Sequence, residues 1–167
     1  LARKAVGIGF GRVLVWSRGI SPERIAAAFA GRLAPGAPRV EASGFRELLA
    51  ASDLVSVHLA LTEDTRNLLD AEAFSCMKPG ARLVNTARGG LVDEDALLAA
   101  LDSGRLAAAA LDVFAVEPLP PDHPFRSRRN LVLSDHAAWH SDDSVRELRL
   151  AAAGNVLAVW RERAYPA

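Results

Sequence analysis

Residues 81–118, ARLVNTARGGLVDEDALLAALDSGRLAAAALDVFAVEP, decide the fold. Leu83 and Val84 make a short apolar strand centre, and Asn85-Thr86-Ala87-Arg88-Gly89-Gly90 breaks it with polar and conformationally permissive residues. Asp93, Glu94 and Asp95 open a helix, where negative charge suits the N-terminal end of the dipole. Ala96, Leu97, Ala100 and Leu101 recur at helical spacing, and Ser103-Gly104 closes the segment. Residues 107–113 are nearly all apolar, as expected of a strand covered on both faces. A helix between two buried strands is the crossover of a parallel sheet, and such sheets bind ligands beyond the carboxyl ends of their strands. Arg88 follows one such end and Glu117 the next. Neither is needed to hold a strand–helix–strand unit together, so both point to chemistry.

Upstream, residues 4–11, KAVGIGFG, read as a short buried strand running into a glycine turn. Gly7, Gly9 and Gly11 are small enough to let backbone approach a diphosphate, although such a run alone is a weak signal. No helix follows it. Residues 13–16 are at once another apolar strand, and parallel neighbours need a crossover of roughly a dozen residues or more. Two arrangements fit: a tight antiparallel pair, or parallel strands whose helix is absent from this sequence. The parallel grammar of the rest favours the second. Ser21-Pro22-Glu23 then caps and starts a helix with Ile25, Ala26 and Phe29 on one side. Residues 34–38 form a Pro/Gly loop, Val40 suits an edge strand, and Phe45, Leu48 and Leu49 suggest a brief helix. Residues 53–59 read as a strand with His58 near its end. A polar turn at 62–65 leads to a helix-like stretch ending at Lys78-Pro79-Gly80.

Downstream, a proline-rich loop spans 114–130, and residues 131–133 make a last short strand. Ser134-Asp135-His136 lies at its end, and Ser141 starts a long amphipathic helix reaching about Arg163. The 167 residues, half of them apolar, suffice for one domain with a real core. Twenty basic and twenty acidic residues leave no net charge, which argues against a nucleic-acid surface. The single Cys76 excludes an intramolecular disulfide and a cysteine metal cluster, and reads as a buried small hydrophobe. No apolar run approaches the roughly 18 to 20 residues of a membrane span, and no signal peptide is evident. A cytoplasmic chain is the expectation. The opening Leu1 reads as a start that is processed, truncated or simply not shown.

Arg88, Glu117 and His136 each fall just after a strand of the same expected sheet. An arginine clamps a carboxylate bidentately, a histidine gives and takes a proton near neutrality, and a carboxylate beside it fixes its tautomer. Together they suit proton transfer to a carbonyl next to a bound carboxylate. The plainer reading makes Arg88 a solvated charge, Glu117 a turn residue and His136 a helix cap. His136 and His140, with Asp135, Asp142 and Asp143, supply no clean third metal ligand, so no metal is expected. Trp139 fits a pocket roof and a core position equally.

These segments resemble the nucleotide-binding domain of the D-isomer-specific 2-hydroxyacid dehydrogenases. The resemblance rests on LVNTARGGLVDEDAL at 83–97, AALDVFAVEP at 109–118 and SDHAAW at 134–139, with SVHLALT at 56–62 and MKPG at 77–80 in support. HAAW is similar to the C-terminal-binding-protein branch, which includes animal corepressors, and it also occurs in bacterial dehydrogenases. The resemblance implies an α/β, Rossmann-type doubly wound parallel sheet, here lacking the first crossover helix. It implies an NAD(P)-dependent oxidoreductase moving a hydride between nicotinamide and a 2-oxo or 2-hydroxy acid. The rival is a catalytically idle, corepressor-type association domain.

By the same resemblance Arg88 binds the acid, His136 is the general acid and base, and Glu117 pairs with it. Asp112 faces the nicotinamide amide, Thr62, Thr86 and Ala87 line the cofactor, and Trp139 lies on the substrate side. Gly9 and Gly11 belong to the dinucleotide turn. Ser17-Arg18 stands where an acidic residue would bind the ribose of NAD, so the reading leans to NADP and keeps NAD open. Asp135 replaces the family's usual Pro. Residues 1–167 are then an incomplete nucleotide-binding domain with the substrate domain essentially absent. The expected partners are a small 2-oxo or 2-hydroxy acid and, for the intact parent, a second copy in a homodimer.

Overall fold

The computed structural model describes residues 2–30 and 39–164, with the side chains of Arg3 and of 162–164 left aside. The Pro/Gly loop expected at 34–38 lies outside them. The central stretch folds as read. Strand β4 (Ala81–Asn85) leads through the glycine loop to helix α5 (Glu94–Asp102), and the chain returns as β5 (Leu106–Leu111). The Asp93 carboxylate accepts the Ala96 N–H at 3.0 Å and starts α5, while Gly104 at φ +73° turns the chain out of it.

Around this unit the chain adds α3 (Phe45–Ala51), β3 (Leu54–Val57), α4 (Ala71–Cys76) and β6 (Leu131–Leu133). The four strands form a parallel sheet in the order β3-β4-β5-β6. Val57, Asn85, Leu111 and Leu133 stand side by side in register. Their carboxyl ends therefore form one rim, and every following loop starts there.

Burial alternates along β3 and β4, with Val55, Val57, Ala81 and Leu83 inward and Leu54 and Arg82 outward. Helices α3, α4 and α5 cover the inward side through Leu49, Phe74, Leu97 and Leu101. Fully burying each such side chain is worth about 1.5–3 kcal/mol. The expectation that β5 is covered on both faces is corrected here: Ala107 is exposed and Ala108 and Ala110 are half-buried. Its outward residues are alanines, which read as apolar without being covered.

The N-terminal segment also differs from its reading. Residues 4–11 are not a strand: Ala2–Gly7 is a short helix, α1, and Ile8 and Phe10 donate to the Lys4 and Ala5 carbonyls. The chain then turns at Gly9 into β1 (Arg12–Val15). The physical reason is the connection, since one residue cannot carry a parallel crossover. The antiparallel alternative is absent as well, because β1 pairs in parallel with β2 (Arg39–Ala42), joined through α2 (Pro22–Phe29). Ser21 caps α2 by accepting the Arg24 N–H, and Ile25 is its buried residue, whereas Ala26 is exposed.

These two strands form a separate sheet, and β1 makes no ladder with β3. Between them lies a cavity of about 790 Å³, walled by Val13, Val15, Val55, Val57, Phe45 and Leu48 among others. In a doubly wound sheet of order 3-2-1-4-5-6, β2 and β1 hold places 3 and 2, β3 onward holds 4 onward, and place 1 is open.

The last helix, α6 (Asp142–Ala164), forms where expected but is not amphipathic in use. Leu148 and Leu150, two residues apart, face opposite sides and are both exposed, as are Leu157 and Trp160. No helix among the described residues is long and apolar enough to cross a membrane.

Candidate active site

The register of the sheet brings three sequence-predicted residues into one cleft. Arg88, Glu117 and His136, with Gly89, Phe114 and Leu61, line a depression of about 390 Å³ at the carboxyl rim. Arg88 ends the short loop after β4. Asn85, almost fully buried, shapes that loop by accepting the Ala87 N–H at 3.0 Å and donating to the Arg88 carbonyl at 2.9 Å. One guanidinium nitrogen of Arg88 donates to the Ala87 carbonyl at 2.6 Å, leaving the rest of the fork for a ligand.

Glu117 hangs from the loop after β5. Its Oε1 accepts the Phe114 N–H at 3.0 Å, and its Oε2 lies 2.7 Å from His136 Nδ1. The histidine hydrogen bond, then the Phe114 N–H, hold the Glu117 carboxyl below its ordinary value against a small desolvation cost, with the charges of His136 and Arg88 adding to the effect. A carboxylate on Nδ1 makes that nitrogen the donor and leaves Nε2 as the ring's working atom.

Asp112 sets the position of His136. It is buried, and burial pushes its carboxyl up. The Ser134 hydroxyl (2.6 Å), the Ala138 and Ala137 N–H groups (both 2.9 Å) and the nearby His136 charge outweigh that and hold it below the ordinary value. The Asp112 carbonyl also accepts the His136 N–H at 2.8 Å. His136 itself sits at φ +47°, a left-handed conformation uncommon for a side chain with a Cβ.

Other predicted residues lie elsewhere on the rim. Thr86 and Ala87 are in the Arg88 loop. Thr62 caps a 3₁₀ turn after β3, where Asp64 takes a 2.8 Å ion pair from Arg18, three residues past β1. Ser17 borders the large cavity. Gly9 and Gly11 are exposed in the turn before β1 and lead to no helix. Trp139 is 54% exposed and donates its indole N–H to the His136 carbonyl at 2.9 Å, so it is not a core residue. Cys76 is half-buried against the core.

The sequence reading passed over a second carboxylate–histidine pair. Glu94, in the first turn of α5, accepts the Ala115 N–H at 2.9 Å and lies 3.5 Å from His123 Nε2. The signal available was His123 standing within an otherwise proline-bounded loop, Pro120-Pro121-Asp122-His123-Pro124.

The sequence profile described as the NAD binding domain of D-isomer specific 2-hydroxyacid dehydrogenases matches residues 1–138. The chain belongs to this family. This family member is 43% identical over 130 residues to a glyoxylate reductase of Thermofilum pendens, covering 78% of the chain and 38% of the relative. In structure it resembles a glyoxylate reductase from Paecilomyes thermophila, with TM-score 0.79 and 30% identity, over 94% of the chain and 44% of that protein. It also resembles an NADPH-dependent glyoxylate/hydroxypyruvate reductase from Sinorhizobium meliloti, solved with NADP and sulfate. There the TM-score is 0.76 and the identity 31%, over 99% of the chain and 49% of that protein. The chain thus spans less than half the length of these relatives.

Proposed function

We propose that this chain is the nucleotide-binding part of an NAD(P)-dependent oxidoreductase acting on a small 2-oxo or 2-hydroxy acid. The observation that carries the reading is the 2.7 Å His136–Glu117 pair sharing one cleft with Arg88. Arg88 holds the carboxylate of the acid with the free part of its guanidinium. His136 Nε2 gives a proton to the carbonyl oxygen during reduction and takes it back during oxidation. Glu117 fixes the ring's orientation and tautomer, and Asp112 holds the loop that carries the ring. A bound nicotinamide supplies the hydride. An idle association domain has no use for this constellation.

The residues fit the two halves of a dinucleotide unequally. Thr62, Thr86, Ala87 and Asp112 stand at the carboxyl rim, as a nicotinamide requires, and Trp139 borders His136 on the side assigned to substrate. The pyrophosphate half does not fit. Gly9 and Gly11 run directly into β1, so no helix N-terminus follows them to receive the phosphates. We read 1–167 as an incomplete domain of a larger protein, with the acid's other contacts coming from outside it and a homodimer as its assembly.

For the ribose end the reading leans to NADP. Ser17 and Arg18 follow β1, and the exposed Arg18–Asp64 pair is of the kind worth only about 0–1 kcal/mol, so Arg18 is free to exchange Asp64 for a phosphate. The test is steady-state reduction of glyoxylate and longer 2-oxo acids by the intact parent with NADPH and with NADH. The expected result is turnover that favours NADPH and reverses toward NADH in Ser17→Asp. No turnover with either cofactor overturns the activity. A preference for NADH that Ser17→Asp leaves unchanged overturns the NADP assignment alone.

A further inference from the structure

We propose that Glu94 and His123 are positioning residues that set the spacing between Arg88 and the Glu117–His136 pair, an inference that rests on the reading of that cleft as the active site. The two loops that build the cleft meet at one point. A Cβ on Gly89, the neighbour of Arg88, would overlap the Phe114 carbonyl group and the Ala115 nitrogen. The Ala115 N–H at this contact donates to Glu94 Oε1 at 2.9 Å. Ala115 is two residues before Glu117, and the adjoining Phe114 N–H holds the Glu117 carboxylate. Glu94 therefore grips the loop where it touches the arginine loop and beside the group that holds the histidine.

His123 completes the grip from the far side of the loop. Its Nδ1 accepts the Phe125 N–H at 3.3 Å, which makes Nε2 the N–H nitrogen, and Nε2 lies 3.5 Å from Glu94 Oε2. The ring packs edge-on against Phe125, which is fully buried and anchors the loop to the core. Both oxygens of Glu94 and both nitrogens of His123 are thus engaged, and both side chains are about four-fifths covered. Neither touches the cleft. Their effect passes through the path of residues 114–117.

The test compares Glu94→Ala, Glu94→Gln and His123→Phe with wild type in the full chain, by carbon NMR titration of the Glu117 carboxyl, and in the intact parent by kinetics. Glu94→Gln keeps an oxygen for the Ala115 N–H, and His123→Phe keeps the ring on Phe125. The inference expects Glu94→Ala and His123→Phe to move the Glu117 titration up toward an ordinary glutamate, and Glu94→Gln, which keeps the acceptor for the Ala115 N–H but loses the one facing His123, to move it less than Glu94→Ala. In the parent, kcat should fall on the order of 10- to 100-fold with little change in the KM for cofactor. An unshifted Glu117 titration in both Glu94→Ala and His123→Phe overturns the inference, and His123→Phe decides alone if Glu94→Ala does not fold. A parent without turnover on any 2-oxo acid overturns the functional reading, while the Glu117 titration still scores the positioning role.

Discussion

His136 holds a backbone angle of φ +47°, a conformation that costs a residue other than glycine about 1–3 kcal/mol. Asp112 compensates by binding the loop on both sides of it, through Ser134, Ala137 and Ala138. Strain fixed in this way aims the ring at Glu117 before any substrate arrives. In the intact parent, His136→Gln should lower turnover by about 10²- to 10⁴-fold while cofactor affinity stays close to wild type. Arg88→Lys should also turn over poorly, because an ammonium does not reproduce the guanidinium fork. Steady-state kinetics check both, and an unchanged turnover number removes the residue concerned from the mechanism. The lowered carboxyls of Asp112 and Glu117 carry a pH signature. Their folded values lie below the ordinary 3.8 and 4.5, so their contribution to stability is complete above those ordinary values, begins to fade below them and is lost as pH falls through the lower, folded values. Denaturant midpoints measured from neutral to acid pH should fall less steeply in Asp112→Asn than in wild type. Parallel curves would refute this. Arg88, Glu117 and His136 could be grouped from the sequence because each lies in a loop that follows a strand. Glu94 and His123 were not, since their meeting depends on the path of a loop whose course no periodicity encodes.

The arginine loop and α5 act as one element, and a glycine is what lets it seat. At Gly89 any side chain must displace the backbone at Phe114-Ala115, which cannot yield as a flexible side chain would. Gly89→Ala should cost about 3 kcal/mol or more, at the upper end for overpacking, and chemical denaturation measures it. A cost below about 1 kcal/mol would mean that the two loops do not meet as described. The helix–strand grammar of this region was readable because its caps, acidic first turn and closing glycine all agree with the fold. The same local rules misread residues 4–11. Their valine, isoleucine and phenylalanine suit a strand, yet a single residue links them to β1, and chain connectivity overrode propensity. For β5, apolar composition stood in for burial, and alanine satisfies the first without the second.

Across the whole molecule, the parallel order and the common rim were legible, whereas the break between β1 and β3 was not, because no single segment records that two sheets fail to join. The break predicts weak dinucleotide binding by the chain as it stands, since a pyrophosphate finds neither clustered backbone N–H groups nor a positive helix end. Calorimetry with NADH and NADPH, before and after inserting a family-like helix between Arg12 and Val13, should register tighter binding in the second protein. Equal affinities would contradict the account. The open place in the sheet has one more consequence. β1 and β3 share no ladder, so the facing border of each is an unpaired strand edge beside the cavity, the condition under which strands recruit strands from other molecules. Concentrated solutions should therefore scatter light increasingly with time, and the inserted protein should not. A chain that stays monomeric at every concentration would mean its borders are shielded. Otherwise the vacancy that weakens cofactor binding also makes the molecule adhesive, and its shelf life in solution becomes a readout of the missing strand.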